Sequence, residues 1–133
     1  MYPQGKDLIG KWAGFIIHKG GLTPLMVEIG GIQADDSLSG TYSFPPGSVE
    51  VGGEFTADLF GHLLYVRLSD PKHGKLHFHL DVSGEESPGM MHGALHSAKH
   101  QVPHATITVF PSSVFPDIVP AFGAWQDFLK EGL

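Results

Sequence analysis

Between Gly10 and Phe110 the chain alternates apolar and polar residues in short runs, and each run ends in turn-forming residues. A period of two is the mark of a half-buried strand. Eight such segments can be read, at 10–18, 25–32, 38–44, 49–59, 62–68, 76–83, 90–97 and 104–110. The breaks carry Lys19-Gly20-Gly21, Asp35-Asp36-Ser37, Pro45-Pro46-Gly47, Phe60-Gly61, Asp70-Pro71-Lys72-His73-Gly74 and the Gly84 to Gly89 stretch. These are residues that favour tight turns. Links this short force neighbouring strands to run antiparallel, because a parallel crossover takes about a dozen residues or more.

The alternation sorts the strands into two faces. One carries Leu25, Val27 and Ile29, then Leu38, Tyr42 and Phe44, then Phe55, Ala57 and Leu59. It continues through His62, Leu64, Val66 and Leu68, then Leu76, Phe78, Leu80 and Val82, then Met91, Leu95, Ala105, Ile107 and Val109. The opposite face is charged or hydroxylated. Burying that many charges without partners would cost several kcal/mol each, so the apolar face is expected inside. A sheet of eight antiparallel strands with one apolar face removes its exposed edges by curling into an up-and-down barrel. An interior of that size is filled by side chains or holds one small ligand. The first strand departs from the pattern. Trp12, Gly14 and Ile16 face one way and Ala13, Phe15 and Ile17 the other, so both of its faces call for cover.

Beyond the strands, Ile118, Phe122, Trp125 and Phe128 recur at helical spacing, and Asp117 can cap the start. The spacing predicts a C-terminal α-helix over about 117–130, with its regular turns over about 120–130. The expected fold is all-β: a single domain over 1–133, with a barrel at about 8–110 and this helix laid across its outside or over one mouth.

Composition narrows the function. Hydrophobic residues make up 41% of the 133 and charged residues 17%, which suits a folded chain and not a disordered one. Cysteine is absent, which excludes disulfides, thiol nucleophiles and cysteine-bound metals. A net charge of −6 with Arg67 as sole arginine leaves nothing to neutralise a row of phosphates, so no nucleic acid partner is expected. No apolar run approaches the roughly 18 residues of a membrane span, and the first residues hold no apolar signal core. A soluble, cytoplasmic protein with no membrane partner is expected. Nine histidines make the surface charge sensitive to mildly acidic pH.

Leu8-Ile9-Gly10-Lys11-Trp12-Ala13-Gly14, opening a meander of eight strands, resembles the calycin superfamily of lipocalins, fatty-acid-binding proteins and avidins. Gly10-x-Trp12 matches that family's N-terminal Gly-x-Trp. Gly40-Thr41-Tyr42 is similar to the third strand of avidins, and Gly89 to Gly93 to a strand of small bacterial lipocalin-like domains. The resemblance implies that Trp12 closes the base of a cavity. Two features depart from it. The last strand has no Arg or Lys to stack on the tryptophan, and the other tryptophan, Trp125, stands in the expected helix, so biotin is not an expected ligand.

Two candidate sites follow. Trp12, Tyr42, Phe44, Phe55, His62, Phe78, Leu80 and Met91 would line the interior. They form either a pocket for a small apolar molecule, oriented by Tyr42 and His62, or a filled core. The second site is a histidine-rich face. A symmetric loop over Gly84 to Gly89 opposes His77 to His96 and Asp81 to His92. The neighbouring loops oppose Tyr65 to His79, Arg67 to His77 and His96 to His104. Residues two apart on a strand lie about 6.8 Å from each other, and opposed ones about 5 Å. His77, His79 and His96 could therefore share one Zn²⁺ at about 2.0–2.1 Å. This face is a solvated surface, a homodimer or protein contact or an incidental metal site, or the lining of an inverted barrel. In the last case Glu54, Asp58, Arg67, His77, His79 and Asp81 would supply the acid and base groups of an isomerase or cyclase acting on an apolar metabolite. The four-residue spacing of His92, His96, His100 and His104 mimics a helical stripe, but Gly93 and Pro103 argue against a helix. No nucleophile elbow, metalloprotease motif or phosphate loop is present. The leading expectation is a non-catalytic, lipocalin-like protein that binds a small apolar molecule and carries no cofactor.

Overall fold

The computed structural model describes residues 2–18, 21–44, 52–70, 74–84, 88–97 and 103–114, with side chains at 18, 70, 96, 97, 103, 104 and 114 excepted. Eight strands follow one another in order: β1 (Gly10–His18), β2 (Gly21–Ile32), β3 (Leu38–Ser43), β4 (Gly53–Phe60), β5 (Leu63–Asp70), β6 (Gly74–Ser83), β7 (Met90–Ser97) and β8 (Pro103–Pro111). Each pairs antiparallel with the next, and β8 returns to β1, closing an eight-stranded barrel. The seam runs from Trp12 opposite Pro111 to His18 opposite Ala105. Closure leaves no sheet edge to solvent.

The alternation read from the sequence sets the faces. Leu25, Ile29, Leu38, Phe55, Ala57, Leu64, Val66, Phe78, Leu80, Val82, Met91, Ile107 and Val109 are buried and form one apolar cluster inside. Neighbouring strands place these side chains in register, for example Val66 opposite Phe78 and Phe78 opposite Leu95. Two glycines let the sheet bend this sharply. A Cβ on Gly14 would stand 1.9 Å from the Thr108 carbonyl oxygen, and one on Gly93 would stand 1.7 Å from that of His79. Glycine at such corners is how small barrels turn.

One end of the barrel is plugged by a short element that strand periodicity does not reveal, α1 (Gly5–Leu8). The Asp7 carboxylate accepts the Gln4 backbone N–H at 2.9 Å. Leu8 is fully buried, and Trp12 Nε1 donates to the Leu8 carbonyl at 2.9 Å.

Several expectations need adjustment. The helix expected over 117–130 lies outside the described residues; the helical elements that are described are α1 and a 3₁₀ turn, η1 (Ser112–Val114). His96 faces Pro103 and not His104, because the β7–β8 register shifts after Leu95. A bulge of this kind puts two residues of one strand against one of the other. Strand β2 begins earlier than expected and carries Pro24 within it, opposite Phe15. On the outer face of β1, Ala13 is fully buried, while Ile17 and Met26, which stands opposite Ala13 on β2, are about half exposed. Among the described residues no helix is long and apolar enough to cross a membrane.

Candidate ligand cavity and the histidine face

Seven of the eight expected lining residues gather inside. Trp12, Phe55, Phe78, Leu80 and Met91 are buried, and the half-buried Tyr42 and Phe44 pack against the same cluster. The Tyr42 and Phe44 rings meet edge-to-face at 6.0 Å. Tyr42 faces Val27 on one side and Gly53 on the other. Gly53 leaves room for the phenol, whose oxygen lies 3.0 Å from where a Cβ would stand. The Tyr42 hydroxyl is buried and is the polar handle on this apolar surface. Ser37 is the one polar residue, among those described, that is buried as a whole.

His62 is not with them. It sits in the β4–β5 turn, exposed, with Nδ1 3.3 Å from the Val82 carbonyl oxygen and its ring edge-on to Tyr2 at 5.0 Å. Alternation along β5 would point residue 62 inward, but β5 begins only at Leu63, and Gly61 turns the chain with φ 62°. Period two loses its meaning once the chain leaves the strand.

The polar face points outward. His77, His79 and Asp81 alternate with the buried Phe78, Leu80 and Val82 along β6, so the inverted barrel with these groups lining the cavity is not what forms. Cross-strand pairing is as the symmetric loop implies: His77 opposite His96, Asp81 opposite His92, Tyr65 opposite His79 and Arg67 opposite His77. The Tyr65 hydroxyl and His77 Nδ1 share a hydrogen bond. The Tyr65 ring stands 5.5 Å from that of His77 and 5.0 Å from that of His79. The Arg67 guanidinium lies 5.9 Å from the Tyr65 ring centre, and its Nη2 donates to Asp58 Oδ2 at 2.7 Å. Farther round, His92 Nδ1 meets Thr108 Oγ1 at 2.6 Å.

Among the described residues no three His, Asp or Glu side chains come together to hold an ion. His77 has committed Nδ1 to Tyr65, and the side chain of His96, the third expected ligand, lies outside the described ones.

Three features escaped the sequence reading. Leu8 plugs the base, but α1 spans four residues, too few to show a period. The Tyr2 ring meets that of His62 edge-on across a long chain separation. The Asp58–Arg67 ion pair is diagonal between β4 and β5, and only the register Asp58 opposite Tyr65 and Thr56 opposite Arg67 could have signalled it. No protein-family model, curated protein or solved structure matches this chain.

Proposed function

We propose that the protein is a lipocalin-like carrier that holds one small apolar molecule inside the barrel, without catalysis. The observation that carries this reading is the continuous apolar inner surface, enclosed by eight strands and stopped at one end by Leu8 and Trp12. An eight-stranded barrel is wide enough for one small ligand. The ligand sits against Phe55, Phe78, Leu80 and Met91, and the Tyr42 hydroxyl orients whatever polar atom it carries. Among the described residues no buried His, Asp, Glu or Lys stands beside Tyr42 on this surface, which favours binding over proton transfer. The Gly10-x-Trp12 opening supports membership of the calycins, and a chain without cysteine, needing no oxidising compartment, suits a cytoplasmic carrier.

Fluorescence titration with N-phenyl-1-naphthylamine tests the proposal. Saturable uptake of one probe per chain is expected, with NMR shifts at Val27, Leu68 and Phe78 and none at Thr106 or Asp81. Ala105→Trp, which projects an indole into the interior, is expected to weaken uptake at least tenfold while the chain stays folded. Non-saturable fluorescence, or equal uptake by Ala105→Trp, would sink the carrier reading.

A further inference from the structure

A second concavity opens on the outer surface, with the inward-facing Phe55 and Leu68 contributing to its lining. It runs across β2, β3, β4, β5 and β6 and encloses about 970 Å³. That volume suits a small ligand. Its floor includes Gly30 and Gly40, which carry no side chains. Charge is divided along it. Glu28 and Glu54 flank Thr41 on the two neighbouring strands, in the register Glu28, Thr41, Glu54. At the other end Arg67 faces His77 across β5 and β6, and Lys75 lies two residues earlier on β6. Thr56, two residues from Glu54 on β4, stands opposite Arg67, and Ser69 on β5 stands opposite Lys75.

Both basic side chains nearest the centre are held in place. Arg67 is anchored by Asp58 through Nη2 at 2.7 Å, and His77 is braced through Nδ1 by Tyr65. A ligand that carried only positive charge would be repelled at the Arg67–Lys75 end, and a purely anionic one at the Glu28–Glu54 end. A second copy of the chain would have to bring a convex surface with the reverse charge order. A small molecule with a cation at one end and an anion at the other meets both requirements at once.

Length then selects among such molecules. Neighbouring strands lie about 4.8 Å apart, so the distance from β3 to the middle of β5 and β6 is roughly 12 Å. Three extended residues span roughly 10–11 Å. We propose that the groove binds a short zwitterionic peptide laid across the strands, with its α-ammonium between Glu28 and Glu54 and its terminal carboxylate against Arg67, Lys75 and His77. The Thr41, Thr56 and Ser69 hydroxyls hydrogen-bond its amides. A single amino acid is too short to reach from between Glu28 and Glu54, over β3, to the middle of β5 and β6.

Isothermal titration and ¹H–¹⁵N NMR with trialanine test this, with alanine, N-acetyl-trialanine, trialanine amide and maltotriose as comparison arms. Trialanine is expected to shift the amides of Thr41, Thr56 and Ser69. Blocking either terminus is expected to weaken binding about tenfold, the loss of one charge-assisted contact. Glu54→Gln should weaken trialanine about tenfold and leave the acetylated peptide unchanged, and Lys75→Gln should do the same for the amide. Both residues are exposed, and an unchanged far-UV circular dichroism spectrum and urea midpoint serve as the folding control. Equal binding of free and blocked peptides, preference for maltotriose, or no shift at these amides overturns the proposal. The interior carrier reading stands or falls separately.

Discussion

Gly93 shows how a single residue shapes the barrel. A methyl group there would meet the His79 carbonyl at 1.7 Å, so the β6–β7 pair would have to part. Gly93→Ala is expected to cost about 3 kcal/mol in urea unfolding. Gly31→Ala, where nothing lies within 4 Å of the new carbon, should change the midpoint little. The sequence marks both positions alike; only the approach of the neighbouring strand separates them. Trp12 makes a related point. Its burial follows from alternation, but its bond from Nε1 to the Leu8 carbonyl does not. Trp12→Phe keeps the apolar body and deletes the donor, with an expected loss of about 1–2 kcal/mol by the same measurement. His62 fails in the opposite sense. Parity points it inward, and the turn at Gly61 carries it out.

Among the elements, the turns explain which expectations hold. The loop after β6 connects its strands symmetrically, so the opposition of His77 to His96 could be read by counting. The link to β8 could not, because a shift after Leu95 depends on how the two strands bend together. The β2–β3 turn has its own titration. Asp35 Oδ1 accepts the Ser37 hydroxyl at 2.6 Å and the Ser37 N–H at 3.1 Å. These bonds, the side-chain one first, hold the Asp35 carboxyl below its ordinary pKa. A carboxylate whose pKa is lowered on folding contributes stability above its unfolded-state pKa and loses it as the pH falls through the folded-state value. Ser37→Ala should therefore raise the Asp35 titration midpoint, followed by carboxyl-carbon NMR, and remove this turn's share of the acid-dependent loss of stability.

For the molecule as a whole, the decisive contact joins its first strand to its last. Ile16 stands opposite Ile107 at the seam, far apart in the chain. Contacts of such separation put folding in the millisecond-to-second range. Ile107→Asp would bury a carboxylate with no partner at the seam, at a cost of several kcal/mol. Loss of a cooperative urea transition is expected, whereas Thr106→Asp, one residue on and facing out, should stay close to wild type. Should both variants behave alike, the assignment of faces would be wrong. The amino-acid order alone determined eight strands, their antiparallel sense, and which side chains turn inward, because period two and short turn-rich links are local properties. Tertiary structure decided that Leu8 and α1 plug one end, that His62 leaves the interior, that Asp58 takes Arg67, and that a groove with divided charge opens on the outer face. Those outcomes depend on the bending and stagger of strands distant in the chain, which no local pattern encodes.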